Sequence, residues 1–185
     1  MKIVAVLGSP RLNGNSATLA RKFLDAARAL GAEAEEHVLN RLAYDGCQGC
    51  GVCKTKQDRC AVEDGLTPIY DAIRAADILL LASPVYFADI SGQLKCFFDR
   101  TYAYLNPNFT SRLPAGKKSV FVLTQGNADP ETFKDIHPRY EQWLKLYGFE
   151  RNYLLRAVGV SQEGEVNNQP LVMQQAEELA RKLVF

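Results

Sequence analysis

The chain has 185 residues, 47% of them hydrophobic, and a net charge of +1. That length suits one domain able to bury a core without staples, and the even charge balance argues against a nucleic-acid binder, which carries a basic face. No apolar run approaches the roughly 18 residues of a membrane span, and the apolar start Ile3–Leu7 is shorter than a signal-peptide core of about 7–15 residues, so a cytoplasmic, reducing setting is expected.

Strands and helices alternate from the start. Lys2–Gly8 is aliphatic and β-branched, as a strand buried on both faces should be. Asn15–Leu30 reads as a helix with Leu19, Phe23, Ala26, Ala27 and Leu30 on one face and Gly31 as its stop. Ala34–Leu39 is a weaker strand, and Asn40–Glu63 a long polar loop rich in Cys and Gly. Leu66–Ala76 reads as a helix with Asp64 as candidate N-cap. Asp77–Ser83 is the most apolar strand. Ser91–Tyr104 is a helix with Leu94, Phe97, Phe98, Thr101 and Tyr102 inward. Lys118–Thr124 is a fourth strand, Pro130–Tyr147 is mostly helical with a break near Pro138, Glu150–Val160 is a fifth strand, and Pro170–Leu183 closes the chain as a helix. No repeat, linker or low-complexity tract divides it, so residues 1–185 are expected to form one domain with a cysteine-rich insertion at about 40–63.

This alternation predicts an α/β fold: a doubly wound parallel sheet of five strands, ordered 2-1-3-4-5, with helices on both faces. Ligands in such sheets bind beyond the carboxyl ends of the strands, at the switch point. The segments Ser9–Ser16, Pro84–Asp89 and Gln125–Asp129 should therefore converge.

Gly8-Ser9-Pro10-Arg11-Leu12-Asn13-Gly14-Asn15-Ser16 follows the first strand and opens a helix. Helix N-termini offer free N–H groups and partial positive charge. Ser9, Asn15, Ser16 and Thr18 add short polar side chains and Arg11 a cation, while Gly14 is expected to take a backbone conformation closed to other residues. The second glycine of G-x-G-x-x-G and the Gly-Lys-Ser/Thr of a Walker loop are both missing. A phosphate monoester such as that of FMN fits better than a dinucleotide or a nucleoside triphosphate. The plain alternative is an ordinary polar helix cap.

The run GSPR-x-N-G-N-S resembles the phosphate loop of the NAD(P)H-dependent FMN reductase family, a branch of the flavodoxin-like fold. Ser83-Pro84-Val85-Tyr86-Phe87, followed by Ser91-Gly92-x-Leu94-Lys95-x-Phe97-x-Asp99-Arg100, resembles the same family's second signature. The likeness is ordered over residues 1 to about 130. It implies that Ser9, Arg11, Asn13, Gly14, Asn15 and Ser16 hold the FMN phosphate. It implies too that Pro84, Val85, Tyr86 and Phe87 pass along the isoalloxazine ring, with Gly126 and Asn127 on its other side. The chemistry would then be flavin-centred, with no catalytic acid–base pair expected. His37 and His137 lie outside the three loops, and Asp99 and Arg100 read as helix-end or subunit contacts. The family likeness also implies a homodimer or homotetramer.

Cys47-x2-Cys50-x2-Cys53-x6-Cys60 is the sharpest feature of the chain. Four thiols within fourteen residues, with Gly46, Gly49 and Gly51 between and beside them, can wrap one inorganic centre. The first spacings match the bacterial [4Fe–4S] run, but the last gap is longer and Ala61, not proline, follows Cys60. The spacing resembles the compact motif of the iron–sulfur flavoproteins, which pair one [4Fe–4S] cluster with FMN. A cluster-free flavin reductase, a zinc site and disulfides remain open alternatives. Cys96 lies within a helical pattern and reads as a small core residue.

The expected function is that of an FMN-dependent oxidoreductase or electron-transfer flavoprotein with an NAD(P)H donor. The alternatives are a non-enzymatic carrier served by a protein donor such as a ferredoxin, a cluster-free NAD(P)H:FMN or quinone reductase, and a module that binds zinc.

Overall fold

The computed structural model describes residues 1–185. In chain order the elements are β1 (Lys2–Leu7), α1 (Asn15–Ala29), β2 (Glu33–Val38), α2 (Val52–Thr55), α3 (Thr67–Ala75), β3 (Ile78–Tyr86), β4 (Asp89–Ile90), α4 (Gly92–Arg100), β5 (Lys117–Thr124), α5 (Ile136–Leu146), β6 (Phe149–Ala157) and α6 (Pro170–Val184). Short 3-10 turns occupy Leu39–Arg41, Thr101–Tyr104 and Glu165–Asn168.

The main sheet is parallel and ordered β2-β1-β3-β5-β6, the doubly wound order expected. There is one addition: β3 runs past Ser83 to Tyr86 and folds back on itself, so Val85 and Tyr86 pair antiparallel with Ile90 and Asp89 of β4. The sheet therefore has six strands, not five. A two-residue strand carries no periodicity that a sequence could reveal.

Side chains alternate across a strand, and here they sort into two cores. Val4, Val6, Leu79, Leu81, Phe121 and Leu123 face the layer of α3, α4 and α5, against Ile69, Phe97 and Leu144. Ile3, Ala5, Leu7, Ile78, Leu80, Ala82, Val120 and Val122 face α1 and α6, against Leu19, Phe23 and Ala176. Both faces being covered explains why β1 and β3 read as continuous apolar runs. No helix is long and apolar enough to cross a membrane.

Several local expectations are corrected. Asp64 does not cap α3, whose first residue is Thr67; instead its Oδ1 accepts from the Leu66 N–H (2.9 Å) and its Oδ2 pairs with Arg100. The helical stretch 130–147 shrinks to α5. Asp129 takes up the Glu131 N–H and the Thr132 hydroxyl, and Phe133 turns into positive φ (+65°), which an α-helix does not tolerate. Pro138 breaks nothing, because it lies in the first turn of α5 where its missing N–H is not needed. Tyr102 sits on a 3-10 turn after α4 and is 40% exposed rather than inward. The long loop also contains the single turn α2.

Candidate functional site

The three loops do converge. One cavity of about 200 Å³ is lined by Ser9, Arg11, Gly14, Asn15 and Ser16 after β1, by Pro84, Val85 and Tyr86 at the end of β3, by Thr124, the last residue of β5, and by Gly126 beyond it. Val160 and Ser161, after β6, form a fourth wall. Thr124, Val160 and Ser161 were not singled out in the sequence. Gly159 precedes the last two, but nothing in the local pattern marks them as lining a site. Asn13, Phe87 and Asn127 do not line this cavity. Asn13 is exposed, Phe87 is fully exposed at positive φ (+46°), and the Asn127 side chain accepts from the Asp129 N–H (2.8 Å).

The loop before α1 is tied internally. Ser9 Oγ accepts from the Arg11 N–H (3.1 Å), and the Gly14 N–H donates to the Arg11 carbonyl (3.1 Å). Gly14 is not in a glycine-only conformation: its φ is −61° and ψ 156°. What excludes a side chain there is space, since a Cβ would lie 2.8 Å from Ser9 Oγ and 3.2 Å from the Arg11 carbonyl. Asn15 is committed elsewhere: its amide donates to the Gln162 carbonyl (2.8 Å) and accepts from the Val166 N–H (3.1 Å), locking α1 to the β6–α6 loop. Arg11 also reaches this loop, donating to the Ser161 carbonyl (2.9 Å). Glu165 secures it by accepting from the Ser161 and Gln162 N–H groups, which hold its carboxyl below the usual range.

Two kinds of donor at this mouth have no protein partner. Ser16 Oγ is buried with nothing to bond to. No side chain caps α1 at Gly14, so the first N–H groups of a fifteen-residue helix point out unpaired. The lining adds one guanidinium and hydroxyls, and neither a carboxylate nor a histidine. Such a mouth suits an anion.

On the β5 side, the Gln125 amide N–H groups reach the Asn127 (3.0 Å), Asp129 (3.2 Å) and Thr132 (3.2 Å) carbonyls, while Arg156 donates to its Oε1. This fixes the turn that presents Gly126. A Cβ there would meet Ser161 Oγ at 2.5 Å, so the third and fourth walls touch.

The four clustered cysteines line a second cavity, of about 250 Å³, walled by Asp99, Arg100, Tyr102 and Ala103 from α4 and the turn after it. Gly49 (φ +62°) and Gly51 (φ +68°) supply the left-handed turns that wrap the loop, as their positions suggest. Cations pin it from outside. Arg112 donates to the Cys53 carbonyl (2.8 Å) and the Ala103 carbonyl (2.9 Å). Lys54 donates to the Tyr102 (2.6 Å) and Leu105 carbonyls and lies 3.8 Å from the Tyr102 ring centre. Arg100 Nη2 donates to the Val62 carbonyl (2.7 Å). All five cysteines are free thiols; Cys47 and Cys50 are exposed, and Cys53, Cys60 and Cys96 half-buried. Burial pushes the Cys53 thiol up, and Lys54 and Arg112 pull the other way. No three Cys, His, Asp or Glu side chains gather closely enough to hold a single metal ion. Cys47 also borders a larger open groove, about 570 Å³, between α4 and α5.

His137 packs edge-on against Phe121 and His37 lies beside Glu35, both away from these cavities, and Arg100 is fully buried inside the chain.

The comparisons with known proteins agree with this arrangement. A family model described as NADPH-dependent FMN reductase matches residues 1–130. An iron–sulfur flavoprotein of Methanosarcina thermophila is 30% identical over 148 residues, covering 80% of this chain and 75% of its own length. An iron–sulfur flavoprotein of Methanocaldococcus jannaschii is 33% identical over 137 residues, 74% of this chain and 70% of that one. The crystal structure of an FMN-dependent NADH-azoreductase from Bacillus anthracis in complex with FMN superposes with a TM-score of 0.75 over 100% of both chains, at 17% identity, the likeness of a shared flavodoxin-like fold. The chain belongs to the NADPH-dependent FMN reductase family, in its iron–sulfur flavoprotein branch, and is a flavin-dependent oxidoreductase.

Proposed function

We propose that this chain is a two-centre, NAD(P)H-linked oxidoreductase working as one domain, 1–185, in a reducing cytoplasmic setting. FMN sits at the head of α1, and a [4Fe–4S] cluster is held by Cys47, Cys50, Cys53 and Cys60. The buried Ser16 hydroxyl with no protein partner, at the first turn of an uncapped helix, carries the flavin reading. An unpaired buried donor costs about 1–3 kcal/mol, and a phosphate oxygen would remove that cost.

In this reading Ser9, Ser16 and the α1 N–H groups bind the phosphate, with Arg11 as a nearby cation. Asn13, Gly14 and Asn15 shape the loop. The cavity's 200 Å³ is less than the roughly 300–1,000 Å³ usual for ligand pockets. The ring therefore rests outside it, along Pro84, Val85 and Tyr86, beside Gly126. Tyr86 is 42% exposed and Phe87 fully so, and a second copy of the chain in a homodimer or homotetramer, together with Phe87 and Asn127, would cover that shelf. Flavin, when bound, supplies the redox chemistry and links paired to single electron transfer. The protein binds, orients and shields it.

The cluster reading rests on the four thiols sharing one cavity and on the names of the two relatives. Four ligands spread over four irons need not point at one atom, as a tetrahedral zinc site requires. A cluster-free reductase is the second reading, favoured by the exposure of Cys47 and Cys50. Anaerobic purification with quantification of iron, sulfide and FMN separates the two. Steady-state oxidation of NADH and NADPH with added acceptors, against reduced ferredoxin as donor, tests the enzymatic reading. A Cys50→Ala variant with full iron content would overturn the assignment of the cluster to these four cysteines.

A further inference from the structure

Arg100 is the largest fully buried side chain in the protein. Burying a guanidinium costs several kcal/mol unless each N–H finds a partner. Arg100 Nη1 donates to the Asp64 carboxylate (2.5 Å) and the Asp45 carbonyl (3.0 Å), and Nη2 to the Val62 carbonyl (2.7 Å). Nε is buried and has none. The side chain and Cys60 both line the cysteine cavity, and Cys60 is close enough for its charge to bear on the guanidinium. The other charges around this cavity are already engaged: Lys54 and Arg112 with backbone carbonyls, Asp99 with Lys95 (2.5 Å).

We propose that Arg100 is the positioning residue of the cysteine cavity, its fixed charge and unpaired Nε–H directed to the Cys60 sulfur of a bound four-iron cluster. The inference rests on the cluster reading above. Four thiolates make the loaded cavity anionic, and one-electron reduction adds a further negative charge. A buried cation and an N–H donor to sulfur both stabilise the reduced state, the levers by which proteins raise cluster potentials. Asp64 partly neutralises that cation. The pair therefore has a signature that a mere loop clamp lacks: removing Arg100 and removing the Asp64 charge must move the potential in opposite directions.

The test uses the full chain, loaded anaerobically with iron, sulfide and FMN, and titrated with dithionite while EPR follows the cluster and absorbance the flavin. Arg100→Gln is expected to retain iron and FMN and to shift the cluster potential negative, with Arg100→Lys recovering part of the shift. Asp64→Asn, isosteric and still able to accept from Nη1, is expected to shift it positive and decides the matter alone if Arg100→Gln does not fold. The flavin potential serves as internal reference and stays put. An unchanged cluster potential in the loaded variants, or shifts of the same sign for Arg100→Gln and Asp64→Asn, overturns the role of Arg100 and leaves the cluster standing. A wild-type chain that takes up no iron or sulfide overturns the cluster reading and this inference together.

Discussion

The Ser91 hydroxyl donates to the Gly8 carbonyl at 2.7 Å, across 83 residues of sequence. The same side chain accepts from the Leu94 N–H to cap α4, and the Ser91 N–H donates to Ser83 Oγ (2.8 Å). One buried serine thus joins the end of β1, which leads into the Ser9–Ser16 loop, to the end of β3, which leads into Pro84–Tyr86. Ser91→Ala should lower stability by about 1–3 kcal/mol, from a lost cap and orphaned partners. It should also weaken FMN binding without touching the ligand. Urea unfolding and FMN fluorescence titration measure the two; an effect on stability with unchanged FMN affinity would mean the two walls keep their spacing without this link.

Gly8 itself has no room for a side chain: a Cβ would lie 2.6 Å from Leu94 Cβ and 2.9 Å from Ser91 Oγ. Leu94 Cβ is fixed to the α4 backbone, so the helix must move. Gly8→Ala is expected to cost about 1–3 kcal/mol, as overpacking does. Gly92→Ala, where a Cβ meets nothing within 4 Å, is the matched control and should be tolerated.

Ser16→Ala separates ligand binding from folding. Its hydroxyl is buried and satisfies nothing in the protein. Deleting it should leave the stability of the flavin-free chain unchanged or raised. A hydrogen bond to a charged group is worth about 1.5–3 kcal/mol, so the FMN dissociation constant should rise at least tenfold. Equal affinity in the two proteins would place the phosphate away from the head of α1.

His137 makes stability depend on pH. Burial lowers its value from the usual one; Glu141 opposes the shift and Lys145 reinforces it. The unfolded chain then binds a proton more readily than the folded one. This contribution is fully present above the unfolded value of about 6.5 and is lost as pH falls through the folded value. Urea midpoints should fall from pH 7 toward pH 5, before the carboxylates titrate, and His137→Gln should flatten that part of the profile. A wild-type profile as flat as that of the variant would mean the imidazole protonates freely in the fold.

The sheet order, both cores and the three converging loops were legible because they follow from rules that span many residues: alternation, helical spacing and crossover handedness. What was not legible depends on single contacts. Gly14 reads as a φ requirement and is a matter of space. Asn15 reads as a phosphate donor and instead bonds Gln162 and Val166, almost the whole chain away. Ser161 joins the cavity only because β6 lies beside β5. Arg100 reads as a helix-end residue, and its burial depends on the distant Asp45, Val62 and Asp64.

Cysteine alkylation tests the ligand set residue by residue. Thiol attack needs access and thiolate character. In the reduced, metal-free chain, Cys47 and Cys50 are exposed and should react with iodoacetamide first, with Cys53, Cys60 and Cys96 following slowly. Arg112→Ala releases the Cys53 carbonyl from its clamp and should bring Cys53 into the fast set while leaving Cys96 slow. After anaerobic loading with iron and sulfide, the order should invert. Cys47, Cys50, Cys53 and Cys60 become protected, and Cys96 is the single labelled residue in the mass spectrum. Cys96 is a demanding control, because its Sγ lies only 3.4 Å from where a Gly46 Cβ would stand, next to the cysteine-rich loop. Protection of Cys96 with labelling of Cys60 would exchange the fourth ligand, and it would remove the reason for Arg100 to face Cys60.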